Sequence, residues 1–507
     1  MLGKIYDIYF QREKVDLMKR YCTHLLLVVL FVVANMIYGF TQTEVSQMKE
    51  SKGKVIVVGG GISGLVTAYE LEKQGVSVEL LEAGVRFGGR VGTVHYGSGL
   101  YAEYGLQEIW EHNPLLKIVN ELCLETEMVD DPFSSVLMNG KLYPYIQDSR
   151  EEYFKSIFND KEYSFLKQLI TKMEKIYLEA EKGKLTNSLK RLQNISFSQW
   201  LTDNKTPPRV KEFMELELEV ELGTHADRFS ALSGIIESKI FLFGGEKFYH
   251  LKGGNYLLIE AIVSRIKGAK HLGARVVKVE RKMGHAGRLV AEVSYIQNGT
   301  ELKKVYGDAV VVSVPWVWLH FIQFDPPLTP LQLKGVNSLG RGQYTVLHLI
   351  MSKESEKLWS IDGKTPFVVL SNTPMGAIYG PSDSKGETDK LVFSLLVYGD
   401  EARAWHLAPH EAKRIQVVSE LEKLWPGFSK YVMDSSTYTY HPSSVAFWPI
   451  GRSQIDEMSQ ALRTPNKGLF LVGDYLYGSH SHAAAQSAMD AVPKIMKFLS
   501  NNNLPAK

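Results

Sequence analysis

Cysteine is almost missing from this chain. Its 507 residues include two, Cys22 and Cys123, too few for a disulfide framework or a cysteine metal site. Charge imbalance is missing as well. Lys+Arg 58 against Asp+Glu 56 leaves +2, which offers no global attraction to nucleic acid or acidic lipid. There is no repeat of fixed period, no low-complexity tract and no apolar run of the about 20 residues that a bilayer span needs. A hydrophobic fraction of 45% and a charged fraction of 22% describe an ordinary globular protein and exclude long disorder. The length suggests about three domain-sized units, or fewer where segments interleave.

The stretch starting at Met18, "MKRYCTHLLLVVLFVVANMIYGFTQ", has Lys19 and Arg20 ahead of an apolar run from Leu25 to Ile37. That run suits the apolar region of a signal peptide, and Gly39 stands near a possible cleavage point. Residues 1–40 are therefore expected to be a signal peptide or an uncleaved N-terminal anchor, with Met18 a possible true start. Residues 41–51 are a polar linker. Either reading exports the globular part, to the periplasm or outside the cell, with membrane association through the N-terminus in the second case.

The segment "KVIVVGGGISGLVTAYELEKQGVSVELLEAG" reads as strand, turn, helix, turn, strand. Val55–Val58 is a β-branched run of the kind buried on both faces. Gly59, Gly61 and Gly64 have the G-x-G-x-x-G spacing, with Ile62 and Ser63 between the last two. The first glycine makes the tight turn, the second admits a pyrophosphate, and the third lets helix pack on strand. Glu82 ends the second strand, where an acidic side chain accepts hydrogen bonds from a ribose. The turn is thus a dinucleotide site. NAD or FAD is left open by the turn alone.

The residues just after the second strand decide between them. "EAGVRFGGRVGT" carries Arg86, Gly88, Gly89 and Arg90, glycines for close approach and arginines that can meet phosphate. This resembles the flavin-dependent amine oxidase superfamily, in which R-x-G-G-R follows the ribose Glu. The resemblance continues in order. "YAEYGLQEIW" is similar to a second flavin loop through Gly105, Leu106 and Gln107. "HLKGGNYLLIEAIVSRI" is similar to the family's G-G helix start, and "ARVVKVER" to its adenine strand through Val276. "DAVVVSVPWVWLHFIQFDPPL" is similar to its strand-to-proline segment. "GLFLVGDYLYGSHSHAAAQSAMDAV" is similar to its C-terminal flavin motif through Gly473 and Asp474. The resemblance implies FAD, an α/β fold with a Rossmann-like FAD-binding domain, and an interleaved α+β substrate domain. It places the first near residues 52–130, 245–325 and 440–500 and the second near 131–244 and 326–439. The first insertion reads as mostly helical. The runs "YTVLHLIM" and "KLVFSLLVYG" in the second read as a sheet flooring the cavity.

Members of the family oxidise an amine by taking a hydride or its equivalent from the carbon beside nitrogen, and the cofactor carries the hard step. A helix N-terminus near Ala483 would stabilise the charge that reduction brings. Pro493 should end or kink that helix. Three departures stand out. The strand "GRGQYTVLHL" offers Gln343, Tyr344 and Thr345 where monoamine oxidases use a lysine. The family's two aromatic cage positions fall at Ala446 and His480, so Trp448 and His480 become candidate catalytic residues. The cysteine that anchors some of these flavins is replaced near Val445, which implies non-covalent FAD. His480 and His482 without further ligands make a weak metal signal, and no metal is expected. His480 suits either a proton relay or a polar wall, Trp448 either the cage or core packing. Arg452 suits either a substrate carboxylate or a surface or phosphate role.

Three functions remain. The first is an oxidase of an amine or amino acid with O2 as acceptor. The second is a desaturase or dehydrogenase of an apolar substrate, with a quinone among the possible acceptors. The third is a flavin-stabilised binding protein without turnover. An acidic group or buried arginine in the cavity would favour a charged substrate; an all-apolar tunnel would favour a lipid-like one.

Overall fold

Strand β1 (Lys54–Val58) is the centre from which the cofactor half is built. Val55, Ile56 and Val57 have no exposed surface. Burying one such side chain is worth about 1.5–3 kcal/mol, against about 0.5–1.5 for a ladder hydrogen bond, so burial places the strand. It continues through the glycine turn into helix α1 (Ile62–Lys73) and back along β2 (Ser77–Leu81). Three remote segments complete the sheet: β3 (Ala269–His271), β4 (Ala309–Val312) and β5 (Leu469–Leu471). The order is β3-β2-β1-β4-β5, with every pair parallel. The computed structural model describes residues 52–130, 133–146, 149–243, 247–284, 287–383, 388–439 and 444–502. The expected leader and linker lie outside them.

The second sheet draws on both insertions. Its seven strands run, in spatial order, Val432–Tyr438, Tyr344–Ser352, Lys390–Tyr398, Ala377–Asp383, Val369–Ser371, Ser135–Met138 and Lys141–Tyr143. The two expected β-rich runs pair directly and antiparallel, from Tyr344 opposite Tyr398 to Ser352 opposite Lys390. The first insertion is mainly helical, from Arg150–Ile157 through Ala231–Glu237. Both sheets belong to one compact unit, Gly53–Lys507.

Pro493 neither ends the last helix nor sits near its end. That helix runs from Ser481 to Asn502 with Pro493 inside it. The proline removes one backbone donor, but Ile495 and Leu499 beyond it are buried in the core beneath β1, and this packing carries the helix onward. No helix among the described residues is long and apolar enough to cross a membrane.

Candidate active site

A cavity of about 1160 Å³ runs between the two sheets. One end is lined by Gly59, Gly61, Ile62, Ser63, Glu82, Gly89, Arg90 and Val276, and its middle by Gly105, Leu106, Gln107, Gly473, Asp474 and Ala483. These are the positions singled out in the sequence, brought together from five separate stretches.

The glycines have distinct duties. At Gly64 a Cβ would lie 2.0 Å from the Gly59 carbonyl oxygen and 2.5 Å from Ser313 Oγ. Gly64 is off the cavity wall and allows α1 to approach the turn. At Gly61 a Cβ would meet no protein atom within 4 Å, so the absent side chain leaves room for a ligand on the wall. Glu82 accepts hydrogen bonds from the Gly60 and Gly84 amides, each at 2.6 Å. Its carboxylate is thereby fixed facing the cavity. Asp474 is buried and takes both arms of Arg90, at 2.6 and 2.7 Å. The N-terminus of the Ser481–Asn502 helix opens onto the cavity at Ala483 and Ala484, which favours negative charge there. A glycine cradle, an acidic ribose acceptor and an electropositive helix end fit an FAD along this wall.

The other end is acidic. Glu108, Glu221 and Glu237 line it beside His480 and His482, and Tyr344, Val346, Tyr379, Leu396 and Tyr438 form its floor from the seven-stranded sheet. Burial, and then the charge of Glu221, push the Glu108 carboxyl up to about 8. Burial likewise raises Glu221, with His480 opposing the shift. Among the described residues no lysine or arginine pairs with these three glutamates. His480 stands between two of them: Nε2 is 3.2 Å from Glu237 Oε2 and Nδ1 is 3.6 Å from Glu221 Oε2. Burial alone would lower the His480 pKa, but Glu237 against the ring, with Glu221, outweighs it and holds the pKa above its ordinary value. His482 goes the other way, lowered to about 4 by burial and by Lys239 and His480.

A profile of the flavin containing amine oxidoreductases matches residues 62–496. The chain belongs to this family. It is similar to L-amino acid oxidase Bs29 of Bothriechis schlegelii, 25% identical over 454 residues, covering 84% of this chain and 86% of that one. L-amino acid oxidase Lm29 of Lachesis muta is 26% identical over 455 residues, covering 84% and 83%. Among solved structures, cyclohexylamine oxidase from Brevibacterium oxydans IH-35A shares the fold with a TM-score of 0.72 at 18% identity, covering 88% of this chain and 99% of that one. Wild-type putrescine oxidase bound to putrescine gives 0.71 at 20% identity, covering 88% and 99%. The protein is an FAD oxidoreductase of this family, with the mixed α/β fold expected.

Several expected site residues of this amine oxidoreductase sit elsewhere. Trp448 is fully buried, its indole N–H donates to Ser459 Oγ at 2.9 Å, and it is off the cavity wall. Core packing, not a cage, is its place. Arg452 is also buried: its Nε donates to Asp456 Oδ2 at 2.6 Å, and Nη1 reaches Ser338 Oγ and the Gly335 carbonyl. It takes neither a substrate carboxylate nor a phosphate. Arg86 spends its guanidinium on the carbonyls of Phe87, Val91 and Gly89, so it braces the loop. Tyr344 faces the cavity with its hydroxyl within 2.7 Å of the Val220 and Glu221 carbonyls.

Sequence reasoning missed Glu108, Glu221 and Glu237. One signal was present. The helix Pro208–Leu222 contains "MELELEVEL". Glutamates at every second position cannot share one face of a 3.6-residue helix, so some must point inward.

Proposed function

We propose that this FAD oxidoreductase oxidises a cationic amine without a carboxylate, with O2 as electron acceptor. The observation that supports it is the acidic end of the cavity, where Glu108, Glu221 and Glu237 line the wall, while Arg452 is committed to Asp456. An ammonium placed there gains charge-assisted hydrogen bonds. FAD, when bound, supplies the two-electron oxidation of the carbon–nitrogen bond. The chain's part is to seat the cofactor along Gly59–Gly61, Glu82, Val276 and Gly473–Ala483, and to hold the amine at the acidic end. The cofactor is held without a covalent bond, Val445 lying on the wall where a cysteine would be required. Residues 52–130, 245–325 and 440–500 serve the cofactor and the two insertions the substrate. The apolar run Leu25–Ile37 supports export.

The relatives favour a second reading, an L-amino acid. Its carboxylate would need Lys239, which lines the cavity and now stands 3.6 Å from Glu181. Anaerobic mixing of the yellow holoprotein with alkylamines, diamines and L-amino acids separates the two. Bleaching by amines, followed by peroxide on admitting oxygen, is expected. Bleaching by L-amino acids alone would replace the first reading with the second.

A further inference from the structure

We propose that His480 is the catalytic base that takes the proton from the substrate ammonium, with Glu221 holding that ammonium and Glu237 supporting the ring. The inference rests on the amine reading above. An ammonium has no nitrogen lone pair to assist loss of the neighbouring C–H hydrogen, so an amine must shed a proton before it is oxidised.

The arrangement has the parts of a positioned base. His480 lies on the cavity wall beside Glu221 and Glu237. Glu237 is 3% exposed, its Oε1 accepts from Gln454 Nε2 at 2.9 Å, and its Oε2 stands 3.2 Å from His480 Nε2. A carboxylate at ion-pair distance on that side stabilises the imidazolium once it forms. The proton-accepting nitrogen of the proposal is Nδ1. It points to Glu221, 3.6 Å away across the cavity wall, where the side chain of Glu221 is 36% exposed to the cavity. An ammonium bound to Glu221 therefore lies next to Nδ1. In the step, one N–H bond of the ammonium breaks, an Nδ1–H bond forms, and the electron pair stays on the amine nitrogen. No electron is transferred.

The groups facing His480 come from three elements. They are Glu221 from the helix Pro208–Leu222, Glu237 from Ala231–Glu237, and Asp474 and His482 from its own segment. The carboxylates outnumber the opposing His482, which is held largely neutral. A base strengthened in this way is better matched to an ammonium, whose own pKa is about 10.

The test uses the full-chain holoprotein and an amine that bleaches it. Anaerobic flavin reduction by the wild type is expected to rise with pH through a limb above the ordinary histidine value. In His480→Gln that limb should vanish, with reduction slowed about 10²- to 10⁴-fold near pH 7. The rate should recover toward pH 10, where solvent supplies the free amine. In Glu237→Gln the limb should move down. A readout without turnover comes from tert-butylamine, which has no hydrogen on the carbon beside nitrogen. Its binding heat in buffers of different ionisation enthalpy counts the protons released. Below the limb, where the ring of the free enzyme already carries a proton, the wild type should release one proton on binding and His480→Gln should release none. If His480→Gln retains the wild-type limb, or is slowed equally at every pH, the base assignment fails while the amine reading stands. If no amine bleaches the wild type, the amine reading fails and the base with it.

Discussion

At the cofactor end of the cavity the ionic groups are matched. Arg90 and Asp474 close on each other bidentately, and Glu82 accepts two backbone amides. At the substrate end Glu108, Glu221 and Glu237 share the wall with His480 and His482; Lys239 on the same wall stands against Glu181, and no lysine or arginine among the described residues pairs with those three glutamates. The first end is a matched scaffold whose groups fit the phosphate and ribose of the cofactor. The second carries acidity whose cost the proposed ammonium substrate would relieve. On the proposed reading, one end serves a resident cofactor and the other a passing substrate.

The largest break in this contrast should come from Gly64→Ala. A methyl 2.0 Å from the Gly59 carbonyl oxygen forces the turn apart, and the purified protein should be colourless or insoluble. Retention of the yellow spectrum would show that the turn can yield. Asp474→Asn comes next. It removes a charged partner from Arg90, for which about 1.5–3 kcal/mol of stability should be lost in urea unfolding. At the other end, Glu221→Gln should leave the flavin spectrum alone and raise KM for the amine about 10- to 100-fold, the equivalent of one charge-assisted hydrogen bond. An unchanged KM would remove Glu221 from substrate binding.

The acidic end also makes a pH prediction. The folded protein keeps Glu108 protonated up to about pH 8, whereas its ordinary value is 4.5. Unfolding therefore releases a proton between these values. The contribution to stability is full below pH 4.5 and is lost as pH rises to about 8. The thermal midpoint should fall over that window, and Glu108→Gln should flatten the fall. The smallest effect should come from Trp448→Phe, which gives up the bond to Ser459 at about 1 kcal/mol. KM should not change, because Trp448 lies off the cavity wall; a raised KM would return it to the site.

The cofactor end was legible in the sequence because its chemistry is local. A tight turn, a close approach and a ribose acceptor require particular residue types at fixed spacings, and Gly59, Gly61, Gly64 and Glu82 meet them. Arg86 shows the limit of that reading. It stands in the right motif, yet three nearby carbonyls claim its guanidinium. Arg452 and Trp448 show the same limit. A charged or aromatic residue near a motif looks functional until its neighbours are known, and these two share Ser459 in one buried network.

By itself the sequence determined the nucleotide-binding turn, the helical first insertion and the β-rich runs of the second, since each depends on short-range pattern or on glycine's missing side chain; the order of the cofactor segments came from the resemblance to the family. Tertiary structure alone decided which polar groups meet. Glu108, Glu221, Glu237 and His480 are up to 372 positions apart in the chain and become neighbours only because separate elements pack around one cavity. Whether a carboxylate is a solvated helix face or a buried substrate anchor depends on what lies across from it, and that is a property of packing rather than of sequence spacing.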